Sequence, residues 1–236
     1  MQGNLSTTQV DRLGERLRKA PLSEDDIKQL EAYRRTFGDA YEIVVRQIRD
    51  RLGLEPTGRP SKSTSSIIEK LRRETIRLSQ IQDIAGCRLV VAGIPDQDRI
   101  VASLRDAFPS ASLVDRRVKP TWGYRAVHVI VSVERKLVEI QVRTTLQHLW
   151  AELSEKFSDK VGVDLKYGGG DPQLRDLLLA RSEFVSRMEE IQRKASTLWT
   201  ALPDEVKSEV DGLMRETAES LAELKVIAGK LRGGRE

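Results

Sequence analysis

Cysteine occurs once in the 236 residues, histidine twice, and Phe, Trp and Tyr together make up only 5%. The single thiol, Cys87, has no partner for an internal disulfide, and one cysteine with two histidines cannot build a zinc site or a histidine-rich hydrolase centre. Cys87 reads instead as a small buried core residue in a reducing compartment. Long apolar runs are missing too. The longest, Ala126 to Val133, is interrupted by His128 and Ser132 and falls far short of the roughly 20 residues of a membrane helix. The segment from Met1 to Ser6 lacks a basic stretch followed by an apolar one, so a signal peptide is not expected. These absences predict a cytoplasmic protein without a membrane partner. A Walker-type glycine-rich loop is also lacking, which excludes a P-loop enzyme.

What is present is charge, unevenly placed. Charged residues make up 32% of the chain and the net charge is +4. Residues 1–60 carry 11 basic and 10 acidic groups, residues 61–150 carry 15 and 9, and residues 151–236 carry 14 and 17. The middle is basic and the end acidic. A basic middle suits either a phosphate-binding site or a solvated face.

Residues 1–57 read as an N-terminal helical segment. Ser23-Glu24-Asp25-Asp26 has the capping pattern, and Leu30, Tyr33, Phe37, Tyr41, Val44, Val45, Ile48 and Leu52 recur at helical spacing up to Gly53. Gly58 to Ser63 reads as a loop, and Ile67, Ile68, Leu71, Thr75 and Leu78 as a further helix. Residues 58–161 then form a mixed core. Cys87 to Ala92 predicts a buried strand, Asp96 to Phe108 a crossover helix, and Leu113 to Val118 a second strand. Arg125 to Val133 and Leu137 to Thr144 predict a hairpin across Glu134-Arg135-Lys136, with a helix from Thr145 to Asp159. Gly162 to Gly170 (residues 162–170) reads as a Gly-rich connector. Residues 171–236 predict a helical hairpin, with Leu174, Leu177, Phe184, Met188 and Ile191 lining one helix. Val206, Val210, Leu213, Leu221, Leu224 and Ile227 line the other. The order of elements predicts an α/β (α+β) fold, a mixed central sheet of about five strands flanked by helices.

On the last strand Val138, Ile140 and Val142 point one way and Glu139, Gln141 and Arg143 the other. Such a polar face either meets water or lines a site. His128, on the neighbouring strand between Val127 and Val129, is an odd choice for a plain water-facing position. Asp83 stands where a helix gives way to a strand. Asp83 and Glu139 together suit Mg²⁺, which takes one or two carboxylates and completes its shell with substrate phosphates. Lys62, Lys70, Arg72, Arg88, Arg116, Arg117, Lys119 and Arg125 are available to neutralise phosphate. A carboxylate pair among basic residues points to phosphoryl-group chemistry.

Asp83-Ile84-Ala85-Gly86-Cys87-Arg88, Gly123-Tyr124-Arg125-Ala126-Val127-His128 and Val138-Glu139-Ile140-Gln141-Val142-Arg143-Thr144 occur in that order. With the flanks Ser66 to Leu71 and Trp150 to Lys156, this set resembles the synthetase domain of RelA/SpoT-type nucleotide pyrophosphokinases over about residues 59–160. The resemblance implies a nucleotidyltransferase-like synthetase fold. It also implies Mg²⁺-dependent transfer of the β,γ-pyrophosphate of ATP to the ribose 3′-hydroxyl of GDP or GTP, giving (p)ppGpp. Carried over by motif, Asp83 resembles the metal ligand. Glu139 resembles the second acidic residue, ligand or base. Arg88 resembles the arginine that stacks on adenine, with Arg59, Lys62 and Lys70 as the other ATP contacts. Tyr124 resembles the ring that stacks on the acceptor base, and His128 a contact to acceptor phosphate. Gln141, Arg143, Lys119 and Arg125 complete the acceptor side.

The acceptor loop departs from the family pattern. Members usually carry Pro-Lys-x-Asn before Gly-Tyr, where this chain reads Lys119-Pro120-Thr121-Trp122, and Arg59 is one residue off the usual Arg-x-Lys. That departure fits a second reading, the toxin branch of toxin–antitoxin systems, which pyrophosphorylates the tRNA 3′-CCA end and is neutralised by an antitoxin. A third reading is a catalytically silent regulatory module. The terminal helices suit intramolecular docking, homo-oligomer formation or partner binding, and their acidity suits shielding of the basic middle.

Overall fold

The computed structural model describes residues 5–120, 122–161, 172–198 and 201–230. The connector at 162–170 lies outside the described residues, as do the side chains of Leu174, Leu177, Leu224 and Ile227. The chain forms two compact units, one made of Met1–Leu89, Ser103–Leu113 and Val129–Gln141, the other of Val90–Ala102, Val114–His128 and Val142–Glu236.

The first unit begins with three helices, α1 (Thr7–Leu17), α2 (Glu24–Arg35) and α3 (Gly38–Leu52). The single amphipathic helix expected from Leu30 to Leu52 is thus broken. Thr36 closes α2 with its hydroxyl on the Tyr33 carbonyl, and α3 restarts after Phe37. The apolar period runs through the break, because Tyr33, Phe37 and Tyr41 are all buried. Tyr33 and Phe37 meet edge to face at 5.3 Å. Lys136 lies over both rings, 4.7 and 4.9 Å from their centroids, a cation–π cap. Ser23 caps α2 by accepting from the Asp26 amide; Asp26 itself turns to Arg16 at 2.7 Å. Gly53 ends α3 in the left-handed region, φ 64°.

Two short elements differ from expectation. Gly58 and Arg59, expected as loop, form strand β1 (Thr57–Arg59) together with Thr57, the last residue of the expected helical segment. Helix α4 (Thr64–Arg73) stops at Glu74, and Leu78 enters the core from a separate 3₁₀ turn, Leu78–Gln80. Strand β2 (Ala85–Val91), helix α5 (Ile94–Ala107) and strands β3 (Ser112–Asp115), β4 (Val127–Val133) and β5 (Lys136–Thr144) follow. The mixed sheet has the order β1-β2-β5-β4-β3. Hairpin β4–β5 turns on Glu134 and Arg135, both left-handed at φ 49° and 64°, the backbone of a type I′ turn.

Two glycines let backbones approach within the first unit. β1 pairs antiparallel with β2, Gly58 opposite Cys87 and Arg59 opposite Gly86. A Cβ on Gly58 would lie 2.4 Å from the Gly86 carbonyl oxygen, and one on Gly86 2.9 Å from that of Glu139.

The second unit is built on α6 (Thr145–Val161), α7 (Pro172–Leu198) and α8 (Asp204–Lys230). Leu146, Trp150 and Leu153 of α6 pack with Val185 and Met188 of α7 and Leu221 of α8. The predicted face of α7 is corrected: Met188 is buried but Phe184 and Ile191 are exposed, because Ser182, Val185, Glu189 and Ala195 take the inward positions. On α8, Val206 and Leu213 are likewise exposed and Leu221 is buried. Among the described residues, no helix is long and apolar enough to cross a membrane.

Candidate active site

In the first unit, Asp83 is the focus. Lys62 Nζ donates to one carboxylate oxygen at 2.7 Å and Lys70 Nζ to the other at 2.8 Å. Each lysine is delivered by its own local structure. The Lys62 amide donates to the Ile84 carbonyl at 2.6 Å, tying the β1–α4 loop to the entry of β2. Lys70 lies on α4, whose first turn is capped by the Ser63 hydroxyl and whose buried face is Ile67, Ile68 and Leu71. The Asp83 side chain is 23% exposed. Burial pushes its carboxyl up, but the two ammonium groups overcome this and hold it down at about 2. The group is therefore a carboxylate at any physiological pH.

Glu139 stands beside Gly86, three residues beyond Asp83, because the missing Cβ lets β2 and β5 close up there. Its side chain is 8% exposed, and Gln141 Nε2 donates to its Oε2 at 2.6 Å. The polar face of β5 is thus no plain water-facing surface. Burial, together with the Glu139 charge, pushes the Cys87 thiol up to about 12, so Cys87 is an inert core residue. Arg88 is half-buried on β2 opposite Thr57, and Arg59 is exposed opposite Gly86. Among the described residues, no group of three or more His, Cys, Asp or Glu side chains is placed to hold a metal. One or two carboxylates such as Asp83 and Glu139 are the kind of donor set a magnesium ion takes when it shares its shell with phosphates and water.

The second unit brings together the predicted acceptor residues Tyr124, His128 and Arg143. Arg143, 3% exposed, donates from its guanidinium to the Tyr124 hydroxyl at 2.9 Å and lies 5.0 Å from the ring centroid. The Tyr124 hydroxyl and His128 Nε2 also lie 2.9 Å apart, a hydrogen bond whose direction follows the His128 tautomer. The two rings meet edge to face at 5.6 Å and 79°. The Tyr124 ring is thereby set by two partners that act on its hydroxyl end.

The basic residues around the loop divide. Arg117, expected to supply phosphate charge, is bound to Asp115 at 2.7 Å, Asp98 at 2.6 Å and Gln97 at 3.2 Å, so it serves the scaffold. Arg125 donates to the Arg117 carbonyl at 2.9 Å and to Ser182 Oγ at 3.2 Å, within the loop's own support. Lys119 is exposed. Trp122, also exposed, has φ 51°, a left-handed backbone uncommon for a bulky residue.

Residues beyond the motif set support this loop. Trp150 Nε1 donates to the Gly123 carbonyl at 3.0 Å, and Ser182 Oγ to the same oxygen at 2.6 Å. Gln97, Gln147 and Glu189 form a buried polar group next to Thr144. Gln97 Nε2 donates to the Val142 carbonyl at 2.7 Å and to Gln147 Oε1 at 2.9 Å, while Glu189 accepts from Thr144 Oγ1 and Gln147 Nε2. The Trp150 flank hinted at this, since a buried indole needs a hydrogen-bond acceptor. Ser182 and Glu189 carry no such signal.

Residues 58–162 match the region found in RelA / SpoT proteins. The uncharacterized protein Rv1366 of Mycobacterium tuberculosis is 38% identical over 120 residues, 48% of this chain and 43% of its own length. The chain thus spans less than half of that relative. GTP pyrophosphokinase YjbM of Bacillus subtilis is 35% identical over 150 residues, 57% of this chain and 67% of its own. Among solved structures, the small alarmone synthetase 1 from Bacillus subtilis bound to its product pppGpp superposes with a TM-score of 0.58 and 26% identity. That match covers 72% of this chain and 97% of the other.

Proposed function

The chain belongs to the RelA/SpoT family, and from that premise we propose that it is a pyrophosphokinase making (p)ppGpp from ATP and GDP or GTP. The observation that carries the reading is Asp83, ionised between Lys62 and Lys70, in the same unit as the buried Glu139. The ribose 3′-oxygen attacks the β-phosphorus of ATP. The bond from that phosphorus to the bridging α,β-oxygen breaks, and AMP leaves. Glu139 takes the hydroxyl proton, its carboxylate oriented by Gln141. Lys62 and Lys70 neutralise the moving phosphates, and Arg88 and Arg59 hold the adenosine end. Asp83 and Glu139 would hold Mg²⁺, which when bound offsets phosphate charge. On the acceptor side, Tyr124 stacks on the base, with His128 and Arg143 setting the ring and Lys119 and Arg125 adding positive charge. Little covalent chemistry is asked of the protein; positioning and charge do the catalysis.

A second reading, transfer to the tRNA 3′-CCA end by a toxin with a neutralising antitoxin, is favoured by one feature: an exposed tryptophan, Trp122, stands two residues before Tyr124 in the chain, and aromatic rings are what single-stranded bases stack on. Incubation with γ-labelled ATP, magnesium and each of GDP, GTP, AMP, ADP and deacylated tRNA separates the readings. Label in guanosine penta- or tetraphosphate supports the first, and label in tRNA the second. Label in inorganic phosphate alone overturns both and leaves a silent regulatory module.

A further inference from the structure

The loop that presents Tyr124 is unusual in its backbone. Trp122 and Gly123 are both left-handed, at φ 51° and 81°, so the chain turns sharply and the Gly123 carbonyl is directed inward. The tryptophan conformation is unfavourable by itself and persists only where surrounding bonds fix it. Those bonds converge on one atom. The Gly123 oxygen accepts from Trp150 Nε1 at 3.0 Å and from Ser182 Oγ at 2.6 Å. Ser182 Oγ in turn accepts from Arg125 Nε at 3.2 Å, and Arg125 reaches the Arg117 carbonyl at 2.9 Å. A single hydroxyl, 1% exposed, thus joins both sides of Tyr124.

Ser182 belongs to α7, outside the family-matched residues 58–162. Seven residues on, two helical turns along the same face, Glu189 accepts from Thr144 and Gln147 at the end of β5. Thr144 directly follows Arg143, the residue that donates to Tyr124. One face of α7 therefore grips the Tyr124 loop at one point and the strand bearing Arg143 at another. Val185 and Met188 between them supply the apolar packing.

We infer that Ser182 is a positioning residue for the acceptor subsite: it locks the Gly123 carbonyl and Arg125 so that Tyr124 is presented to the acceptor base. The inference rests on the pyrophosphokinase reading, and it makes the C-terminal helix part of acceptor binding. ATP binding, assigned to Lys62, Lys70, Arg88 and Arg59, does not involve it. Removing the hydroxyl leaves a buried carbonyl with one donor fewer and takes the Ser182 acceptor from Arg125 Nε, a loss worth roughly a five- to tenfold change in binding.

The test uses the full chain with steady-state assays of ATP against GDP or GTP. Ser182→Ala is expected to raise the acceptor KM roughly five- to tenfold with the ATP KM within about twofold of the parent. Ser182→Thr, which keeps the hydroxyl, is expected to restore the acceptor KM. Val185→Ala, on the same face but outside the clamp, is expected to lower Tm and leave the acceptor KM unchanged. An unchanged acceptor KM in Ser182→Ala, or an equal rise in Val185→Ala, overturns the inference. If the parent chain transfers label to no guanosine nucleotide, the pyrophosphokinase reading itself has failed. The clamp is then judged by amide hydrogen exchange over residues 122–126. Faster exchange in Ser182→Ala but not Val185→Ala upholds it, and equal exchange overturns it.

Discussion

Asp83 concentrates the chemistry of the first unit on one side chain. Its carboxyl is held at about 2 against a usual 3.8, so folding favours the ionised form. That preference contributes about 2 kcal/mol, present above the unfolded value near 4 and lost as pH falls through 2. Asp83→Asn removes it and leaves Lys62 and Lys70 facing each other across a neutral amide. The expected result is a loss of roughly 2 kcal/mol at pH 7 and at least ~10²-fold in pyrophosphoryl transfer. Urea unfolding between pH 2 and 7 checks the first, since the variant's acid limb should be flatter, and labelled ATP checks the second. Glu189 has the opposite sign. Burial pushes its carboxyl up, opposed by Thr144 and Gln147. Its contribution to stability is fully present below the unfolded value of about 4.5 and is lost as pH rises through the raised folded value. Glu189→Gln keeps a hydrogen-bonding group without the charge. Its urea midpoint is expected to lose less than the parent's between pH 4.5 and 8; an identical pH dependence would refute this account.

At the scale of elements, the glycine pair that closes β1 and β2 onto β5 sets where Glu139 stands. A methyl at Gly86 meets the Glu139 carbonyl oxygen at 2.9 Å, which is backbone and cannot swing aside. Gly86→Ala should therefore cost about 1–3 kcal/mol and displace β5. A lower Tm together with reduced transfer is the expected outcome; normal activity at normal Tm would show that the strands have room to spare. The hairpin turn works in reverse. Glu134 and Arg135 hold left-handed backbone without glycine. Glu134→Asn with Arg135→Gly, the residues a type I′ turn favours, should raise stability by about 1 kcal/mol, seen as a higher Tm. The strands of this hairpin were legible because alternation and turn spacing agree. Asp83, Glu139, Tyr124 and His128 stand out in the sequence because each sits within an ordered motif. β1 was not, since Thr57-Gly58-Arg59 has no apolar alternation and becomes a strand only through pairing with β2. The break at Phe37 was hidden because burial continues across it. Ser182 and Glu189 were hidden for a third reason. Polar residues on an inward helix face look like errors of pattern until their partners, the Gly123 carbonyl and Thr144, are known.

For the whole molecule, the uneven charge invites the idea that the acidic end shields a basic middle, to be tested by removing residues 171–236. The packing of the second unit predicts a different result. Leu146, Trp150 and Leu153 on α6 are covered by Val185 and Met188 of α7 and Leu221 of α8. α8 is further tied to α6 by the ion pair of Lys225 with Glu152. Truncation at residue 161 would strip that cover from three large side chains, each worth about 1.5–3 kcal/mol when buried. The sum is comparable to the whole stability of an ordinary domain. Loss of Ser182 would at the same time leave the Gly123 carbonyl to Trp150 alone and take the acceptor from Arg125 Nε, so the Tyr124 loop would loosen even if α6 survived. A chain ending at 161 is therefore expected to lose its near-ultraviolet circular dichroism, bind a hydrophobic dye and transfer no label. Charge shielding predicts the contrary, a soluble fragment with raised activity at low salt. Replacing exposed acids of α8, such as Glu209 and Glu216, by glutamine in the full chain separates the two. It removes charge while keeping the packing, and an activity unchanged across salt concentrations would assign the C-terminal helices a packing role.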